Sequence, residues 1–393
     1  MFGLIFWFFV ISIFYTYLGY PMLLTLLARF RSKPKTNPAT YPEVTLLIAA
    51  YNEEDVIKDK IENTLLLDYP KEKLQVIVAA DGSDDGTAQI VQQYVSQGVE
   101  LSHIPERQGK MAAINRAMTM ARGDIVVLSD ANNMFGRDAV SEMVKPFTDP
   151  SVGAVSGAKK IITDGNLLGE SEGLYWKYES FIKEQETRLG TCTGAAAEIL
   201  AIRREEFEPP PDYIINDDFY ILMHIIKQGK RVIYAPGAHS FERVSSSPQG
   251  EITRRTRIIA GRYQAMTLSP RLLNWRRPLV VWQIVSHKFL RPLVPFAMIG
   301  ALLANIGALI WQNPSQNPVI FLALPFNWLS LILQVLFYLL ALAANIFKFK
   351  GKPGKILYIP AFLVNSNLAA LVGFHRYITG RQTVLWDRVA RQK

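Results

Sequence analysis

The sequence predicts an α/β domain with a doubly wound, mostly parallel sheet, set between apolar segments that are long enough to cross a membrane. Two observations lead to this prediction. Short apolar runs alternate with helical patterns through the middle of the chain, and charged residues are concentrated there, from Lys33 to Arg277, while both ends are apolar. The 393 residues suffice for one such domain and several membrane spans.

Residues 1–30 are the first predicted element, a transmembrane helix. The run from Met1 to Leu27 has no charged side chain and exceeds the roughly 20 residues that a helix needs to cross a bilayer. A secretory signal peptide would have a basic start and a small-residue cleavage site, and the run has neither. Four basic residues follow between Arg29 and Lys35, so we expect the next segment to be cytoplasmic.

Four short apolar runs predict the strands of a domain at residues 40–245. The predicted strands are 44–50, 75–81, 124–130 and 152–157, and the predicted helices are 53–67, 84–97, 110–121 and 137–147. The first three strands are apolar throughout, as is typical of parallel strands covered on both faces. Because ligands of such sheets bind beyond the carboxyl ends of the strands, polar residues at those ends are the candidates for function.

The region 286–393 is predicted to return to the membrane. It contains two clear apolar spans, 289–311 and 319–346, and a weaker one at 356–374. The uncharged linker QNPSQNP predicts an outside position and the basic linker KFKGKPGK an inside position, in agreement with the first span. A polar Asn-Ser-Asn triplet inside the weaker run leaves open whether that run crosses or forms a re-entrant hairpin.

Charge and cysteine content exclude some classes of function. The net charge is +9, yet no basic tract is interleaved with aromatic residues, so nucleic acid is not an expected partner. Positive charge beside apolar spans is better explained by membrane orientation and anionic lipids. The single cysteine, Cys192, excludes an intramolecular disulfide and a thiolate metal cluster, which fits a reducing cytoplasm.

The motif ADGSDDGT follows the second predicted strand. Asp81 offers a carboxylate that can accept a hydrogen bond from a ribose hydroxyl or a base N–H, and the glycines allow a ligand to approach the backbone closely. A surface turn before a helix that is capped by Ser83 or Asp84 would explain the same residues.

The motif SDANN ends the next predicted strand. Asp130 offers a hard oxygen ligand suited to Mg²⁺ or Mn²⁺, and Asn132 a second, neutral oxygen. A cap or turn before the helix near Arg137 is the structural alternative. The presence of the first motif favours the metal site.

Two adjacent acids, Asp217 and Asp218, open a predicted helix in IINDDFY. One aspartate can cap a helix, but a second exceeds what capping needs. A carboxylate within hydrogen-bond reach of a hydroxyl can remove its proton as the oxygen attacks, and Asp218 is our choice for such a base. Complementation of the helix dipole is the alternative.

Basic residues supply two further candidates. Lys110 opens a helix after a glycine, where a phosphate could meet a backbone N–H and an ammonium. Residues 251–266 form an amphipathic helix, part of a predicted interfacial region at 250–285, in which Arg255 and Arg262 lie two turns apart. Their guanidinium groups suit a departing diphosphate, and anionic lipid headgroups would suit them equally well.

Taken in order, these motifs resemble the membrane-bound family 2 glycosyltransferases, the group that contains cellulose, hyaluronan and poly-N-acetylglucosamine synthases. The resemblance runs from the first span to nearly the end of the chain. It is carried by AAYNEE, ADGSDDGT, RQGKMAAIN, SDANN, TGAAAEILAIRRE, INDDFYI and RRTRI. It implies a GT-A fold and an inverting, single-displacement transfer from a nucleoside-diphosphate sugar, with a uridine nucleotide as the family expectation.

The resemblance also implies roles for individual residues. Donor binding falls to Ala50, Tyr51, Asn52, Glu53, Asp81, Lys110, Arg254, Arg255 and Arg257. The other implied roles are acceptor binding by Thr193, Gly194 and Ala195, a divalent metal (Mg²⁺ or Mn²⁺) at Asp130 and Asn132, and catalysis by Asp218 with Asp217 beside it.

Three positions depart from the family pattern. Asn132 stands where the family has a second metal-binding acid, and Asp217-Asp218 replaces a Glu-Asp pair. Ile258 replaces the tryptophan that belongs to the acceptor-holding region of processive synthases. Transfer of one sugar to a lipid, lipid-linked or glycan acceptor therefore competes with processive synthesis of an extruded polysaccharide.

Two other classes were weighed. A non-catalytic membrane scaffold is disfavoured because each proposed catalytic position holds a chemically competent residue. A dinucleotide-binding oxidoreductase needs a glycine-rich turn after the first strand, where AYNEED stands instead. The expected protein is integral to a membrane, consistent with a bacterial inner membrane, with its catalytic domain in the cytoplasm. The sequence leaves the sugar, the acceptor, the product length and homo-oligomerisation open.

Overall fold

The computed structural model describes residues 1–31, 41–162, 167–243, 248–311, 317–347 and 351–383. The chain divides into two compact units. The helical unit comprises Met1–Leu23, Ile252–Tyr263 and Ile284–Arg381, and the sheet unit is formed mainly by Leu24–Glu251 and Gln264–Gln283. The predicted interfacial region 250–285 is thus shared between the two units.

The sheet unit is built on a mixed sheet that has eight strands in the part of the chain that is described. The strands are β1 Val44–Ala50, β2 Leu74–Asp81, β3 Val99–Ile104, β4 Ile125–Asp130, β5 Met134–Phe135, β6 Val152–Ile162, β7 Leu200–Arg203 and β8 Arg231–Arg243. Their spatial order is β3-β2-β1-β4-β7-β6-β8-β5. The four predicted strands correspond to β1, β2, β4 and β6, and the predicted α/β class is confirmed.

The half of the sheet around β1 is parallel. β1 pairs in parallel with β2 on one side and with β4 on the other, and β2 pairs in parallel with β3. Every residue of β1 is buried, which explains its continuous apolar sequence. The chain runs outward from β1 to β3 and then places β4 on the opposite side of β1. The switch point therefore lies between the carboxyl ends of β1 and β4.

The other half of the sheet is mixed. β7 runs antiparallel to both β4 and β6, while β6 and β8 are parallel and β5 is antiparallel to β8. The expected mostly parallel sheet is thus interrupted by one central antiparallel strand.

Helices fill the connections of the sheet unit. They are α3 Ile57–Leu65, α4 Thr87–Gln92, α5 Lys110–Met118, α6 Ala139–Val144, α7 Leu167–Leu189 and α8 Asp217–Lys227. Each predicted helix is present, with frayed or turn-like residues at its predicted ends. In α5 the buried residues Met111, Ile114 and Ala117 recur every three positions, which is the pattern of a helix that buries one face.

The helical unit contains the apolar ends of the chain. Its segments are α1 Phe2–Phe14, a π-helical turn Tyr15–Gly19, α2 Tyr20–Ala28, α11 Leu290–Ile310, α12 Phe326–Phe347 and α13 Gly351–Ile378. Helix α2 continues into the sheet unit, and α9 Pro248–Leu272 and α10 Pro278–Ile284 each contribute residues to both units. Three described helical stretches are long and apolar enough to span a membrane: Phe2–Ala28, Pro278–Ile310 and Phe326–Phe347.

The weaker apolar run at 356–374 lies in α13, which is one continuous helix and not a hairpin. Its polar residues have a packing role. Asn365 exchanges two side-chain hydrogen bonds with Asn345 of α12, at 2.9 and 3.1 Å. Such amide pairs satisfy polar groups between apolar helices, so the triplet does not by itself indicate a break in the helix.

Helices α1 and α11 pack closely through small residues. A Cβ atom at Gly300 would lie 2.4 Å from the ring of Phe9, and one at Gly307 would lie 2.6 Å from the ring of Phe2. Both glycines therefore make room for a phenylalanine ring, a common device where apolar helices associate.

Candidate active site

The loops that follow β1 and β2 are joined by hydrogen bonds. Asn52, whose φ is 53°, donates from its side-chain amide to Asp84 Oδ1 at 2.6 Å and accepts the Asp84 backbone N–H at 3.1 Å. The backbone N–H of Asn52 donates to Ser83 Oγ, and that of Glu53 to Thr87 Oγ1. Ser83 and Asp84 thus bind the loop after β1 and do not cap a helix, contrary to the structural alternative.

The ring of Tyr51 makes a cation–π contact with an arginine. The guanidinium carbon of Arg107 lies 3.9 Å from the ring centroid of Tyr51, and Ala50 before it is buried at the end of β1. An aromatic ring stacked with an arginine offers a flat surface of the kind that nucleotide bases stack on. The predicted donor-binding roles of Ala50–Glu53 remain predictions.

Asp81, the last residue of β2, is buried and anchors another loop. Its two carboxylate oxygens accept the backbone N–H groups of Gln108 at 2.9 Å and Gly109 at 2.7 Å. Gly82 has φ +61°, and a Cβ there would lie 2.4 Å from the backbone nitrogen of Arg107. Asp81 therefore positions the start of α5, and each oxygen keeps a second lone pair for the donor contact that the sequence predicts.

Lys110 brings the two acidic motifs together. It is the first residue of α5, and its Nζ lies 2.6 Å from Asp130 Oδ1 and 3.7 Å from Asp217 Oδ2. One ammonium therefore stands between the carboxylate that ends β4 and the carboxylate that opens α8. The structure unites residues that lie more than a hundred positions apart in the chain.

Asp218 shares a narrow cavity with these groups. The polar lining is Lys110, Ser129, Asp130, Asp217 and Asp218, and the apolar lining includes Leu47, Leu128, Leu200 and Ile221. Burial raises the pKa of Asp218 to about 6, and the negative charge of Asp217 adds to the rise. The Phe219 N–H, which donates to Asp218 Oδ1 at 2.7 Å, and the Lys110 ammonium oppose it. A carboxylate of this pKa is ionised at neutral pH and basic enough to take up a proton.

Asp130 and Asn132 carry oxygens of the kind that a divalent cation binds. Asn132 Oδ1 is buried and has no hydrogen-bond partner among the described residues. In the described part of the chain, no group of three His, Cys, Asp or Glu side chains is arranged to hold a metal ion, so Asp130 and Asn132 offer one carboxylate and one amide oxygen. That donor set suits Mg²⁺ or Mn²⁺, which commonly bind proteins through one or two carboxylates together with substrate phosphates and water.

The predicted acceptor segment is hydrogen-bonded to helix α7. Thr193 is buried, and its backbone N–H and Oγ1 both donate to the carboxylate of Glu186, at 2.8 and 2.9 Å. The thiol of Cys192 contacts the carbonyl of Gly194 at 3.1 Å. Of Thr193, Gly194 and Ala195, only Ala195 is half-buried and the others are buried. The acceptor role of this segment remains a prediction.

The predicted donor arginines lie on α9, within the segment that belongs to the helical unit. Arg255 donates to Ser366 Oγ at 3.1 Å, and its guanidinium lies 5.3 Å from the ring centroid of Phe362. Arg254 and Arg257 are half-buried on the same helix. The diphosphate and lipid-headgroup interpretations of these arginines both remain predictions.

A second buried charge cluster was not predicted. Lys159 of β6 lies 3.0 Å from Glu198 Oε1, forms an ion pair with Glu242 of β8, and lies 5.1 Å from the ring centroid of Trp176. Burial by itself would raise the pKa of Glu198, but the charge and hydrogen bond of Lys159, a backbone hydrogen bond and the charge of Lys183 together lower it to about 2. A lysine at the end of an apolar strand was a weak signal, because exposed strand ends carry lysine as well.

Comparison with known proteins gives results that agree with this geometry. A family model described as glycosyl transferase family 2 matches residues 45–208. The chain is 27% identical over 240 residues to a poly-β-1,6-N-acetyl-D-glucosamine synthase of Staphylococcus aureus, covering 60% of this chain and 58% of that protein. It is 24% identical over 304 residues to a β-monoglucosyldiacylglycerol synthase of Synechocystis, covering 73% and 62%. The chain thus spans about three fifths of the length of these relatives.

A solved structure with a similar fold is the mannosyltransferase PcManGT from Pyrobaculum calidifontis, in complex with GDP-Man and Mn²⁺. The TM-score is 0.68 at 23% sequence identity, over 94% of this chain and 99% of that one. At this identity the match establishes the fold. The family match covers the loops that follow β1, β2 and β4. Residues 45–208 therefore match a family 2 glycosyltransferase domain, and the chain has the GT-A fold.

Proposed function

We propose that this protein is a metal-dependent, inverting hexosyltransferase that transfers a sugar from a nucleoside-diphosphate donor to a lipid, lipid-linked or glycan acceptor. The observation that carries the proposal is the convergence of Lys110, Asp130, Asp217 and Asp218 in one cavity at the switch point of the sheet. A cation, a metal-binding oxygen and a carboxylate of raised pKa are the groups that this reaction needs.

Asp218 is the general base in this mechanism. As the acceptor oxygen attacks the anomeric carbon of the donor sugar, its proton passes to the carboxylate of Asp218. The bond between the anomeric carbon and the diphosphate oxygen breaks on the opposite face, and the nucleoside diphosphate leaves with the bonding electrons. Its pKa of about 6 leaves Asp218 ionised near neutral pH and able to accept this proton.

Lys110 and Asp130 serve the leaving group. Lys110 lies at the amino end of α5, so its ammonium and the helix N-terminus both favour a phosphate at this place. A divalent cation held by Asp130 and Asn132 would neutralise charge that develops on the diphosphate. Asp130 also holds Lys110 close to the cavity, at 2.6 Å, before the donor arrives.

The acceptor distinguishes two versions of the function. One similar protein is named for a polysaccharide and another for a glycolipid, so the relatives support both. Ile258 stands where processive synthases have an acceptor-holding tryptophan, which favours a single transfer to a lipid or lipid-linked acceptor. The three apolar helical stretches and the basic residues after the first of them support a membrane protein whose sheet unit is cytoplasmic.

Detergent-purified protein should be incubated with radiolabelled UDP- and GDP-sugars, Mg²⁺ or Mn²⁺, and a membrane lipid extract. We expect donor-dependent label in a small lipid product, and loss of that label with Asp218→Asn. A ladder of large products would identify the polymer synthase instead. Unchanged turnover in Asp218→Asn would overturn the base assignment, and no product with any donor would contradict the proposed function.

A further inference from the structure

Helix α3 carries a lysine that the mechanism above does not use. Lys60 is completely buried, with 0% of its surface exposed. Its Nζ donates to the backbone carbonyl of Asn133 at 2.5 Å and lies 4.0 Å from the ring centroid of Phe135. Burial lowers the pKa of Lys60 to about 7, while the negative charge of Asp130 acts in the opposite direction. The ammonium is therefore costly to bury, and it is directed at the segment that follows the metal-binding motif.

Asn63 contacts the same segment one turn further along α3. Its side-chain amide donates to the carbonyl of Phe135 at 2.9 Å, and its Oδ1 accepts the N–H of Phe135 at 2.8 Å. Residues three apart on a helix share a face, so Lys60 and Asn63 form one continuous contact. From the other side, the amide of Asn133 donates to Ser240 Oγ of β8 at 3.3 Å.

These contacts hold the residues directly after Asn132. The carbonyl and side chain of Asn133 and both backbone groups of Phe135 are all engaged. Asn132 itself keeps a buried Oδ1 that is without a hydrogen-bond partner among the described residues. Because this segment is fixed, its backbone N–H groups cannot easily turn to donate a hydrogen bond to Asn132 Oδ1. That oxygen therefore stays available to a ligand.

We propose that Lys60 and Asn63 are positioning residues that hold the oxygens of Asp130 and Asn132 in the arrangement that a divalent cation requires. The inference rests on the metal site of the proposed function and extends it to a second layer of residues. Groups behind metal ligands commonly orient them in this way. A methionine of similar length could fill the space of Lys60 without desolvating a charge, so the hydrogen bond to Asn133 is the feature that the ammonium adds.

The test is Mn²⁺ binding to the donor-free protein in detergent, measured from the electron paramagnetic resonance signal of free Mn²⁺. Lys60→Met and Asn63→Ala should each raise the dissociation constant for Mn²⁺ about tenfold. Asp130→Asn should raise it further. Lys58→Met is the matched control, since Lys58 lies on the same helix with 63% of its side chain exposed, and it should leave the constant unchanged.

The variants separate three explanations. If Asp130→Asn weakens Mn²⁺ binding but Lys60→Met and Asn63→Ala only lower the melting temperature, the two residues are merely structural and the inference fails while the metal site stands. If Lys60→Met tightens Mn²⁺ binding and Asn63→Ala has no effect, Lys60 acts through its charge alone and the inference also fails. If Asp130→Asn binds Mn²⁺ as well as the parent, both the metal site and the inference are overturned.

Discussion

The sheet unit contains two clusters in which a lysine stands between carboxylates, and they differ in charge balance. Lys110 lies near Asp130 and Asp217, with Asp218 as a third acid in the same cavity. Lys159 lies between Glu198 and Glu242. The side chain of Lys110 is 17% exposed and that of Lys159 only 5%. The first cluster is thus more exposed than the second and has a surplus of acid.

The difference in charge balance appears in the pKa values of the acids. Burial and Asp217 raise the pKa of Asp218 to about 6, whereas the Lys159 charge lowers the pKa of Glu198 to about 2. A carboxylate whose charge is poorly compensated is prepared to take a proton, and one that is closely paired is not. Clusters of similar composition therefore raise the pKa of a carboxyl group in one place and lower it in the other.

The largest expected effect tests the reactive cluster. Asp218→Asn should lower kcat for sugar transfer about 10²- to 10⁴-fold, because the amide cannot accept the acceptor proton. Its melting temperature should not fall, since the substitution removes a carboxylate whose ionisation the fold disfavours. Initial rates with saturating donor and a thermal melt would check both statements. A stable variant with parental kcat would show that Asp218 is not the base.

The next effect tests the structural cluster. Lys159→Met should reduce the free energy of unfolding by about 3–5 kcal/mol, because it removes the cation that pairs directly with two buried carboxylates. Lys160→Met, at the exposed neighbouring position of the same strand, is the control and should change little. Thermal or denaturant melts of the two variants give the comparison. Equal stability of both would mean that the Lys159 pairs contribute nothing net.

The smallest effect sharpens the account of Asp218. Its pKa is raised in the folded state, so its ionised form is lost as pH falls through about 6, and the rate should fall on that acidic limb. Asp217→Asn removes a charge that raises this pKa, so the limb should move to lower pH by about one unit. The measurement is log kcat against pH for parent and variant. If the acidic limb does not move in the variant, the limb reports the titration of a group other than Asp218.

The raised pKa of Asp218 also makes the stability of the fold depend on pH. Because the folded protein binds the Asp218 proton more tightly than the unfolded chain does, this group stabilises the fold at low pH. That contribution is lost as pH rises from the ordinary carboxyl pKa through about 6. Asp218→Asn should therefore flatten the stability profile in this window.

Much of the fold and site was predictable because its signals are local. Continuous apolar runs predicted β1, β2 and β4, since strands covered on both faces must be apolar along their whole length. Polar motifs placed directly after those strands predicted where Asp81 and Asp130 would lie. Strands β3, β5, β7 and β8 were not predicted, because their patterns are short or mixed.

The sequence by itself thus determined the α/β class, the apolar ends of the chain and the edge of the sheet at which the candidate site lies. Only the tertiary structure decided that Lys110 contacts both acidic motifs, that Asp81 anchors the loop before α5, and that Lys60 and Lys159 are buried. The physical reason is that periodicity and composition act over a few neighbouring residues. The burial and pairing of a charge depend on side chains that other elements bring to it, and those are settled only when the chain packs.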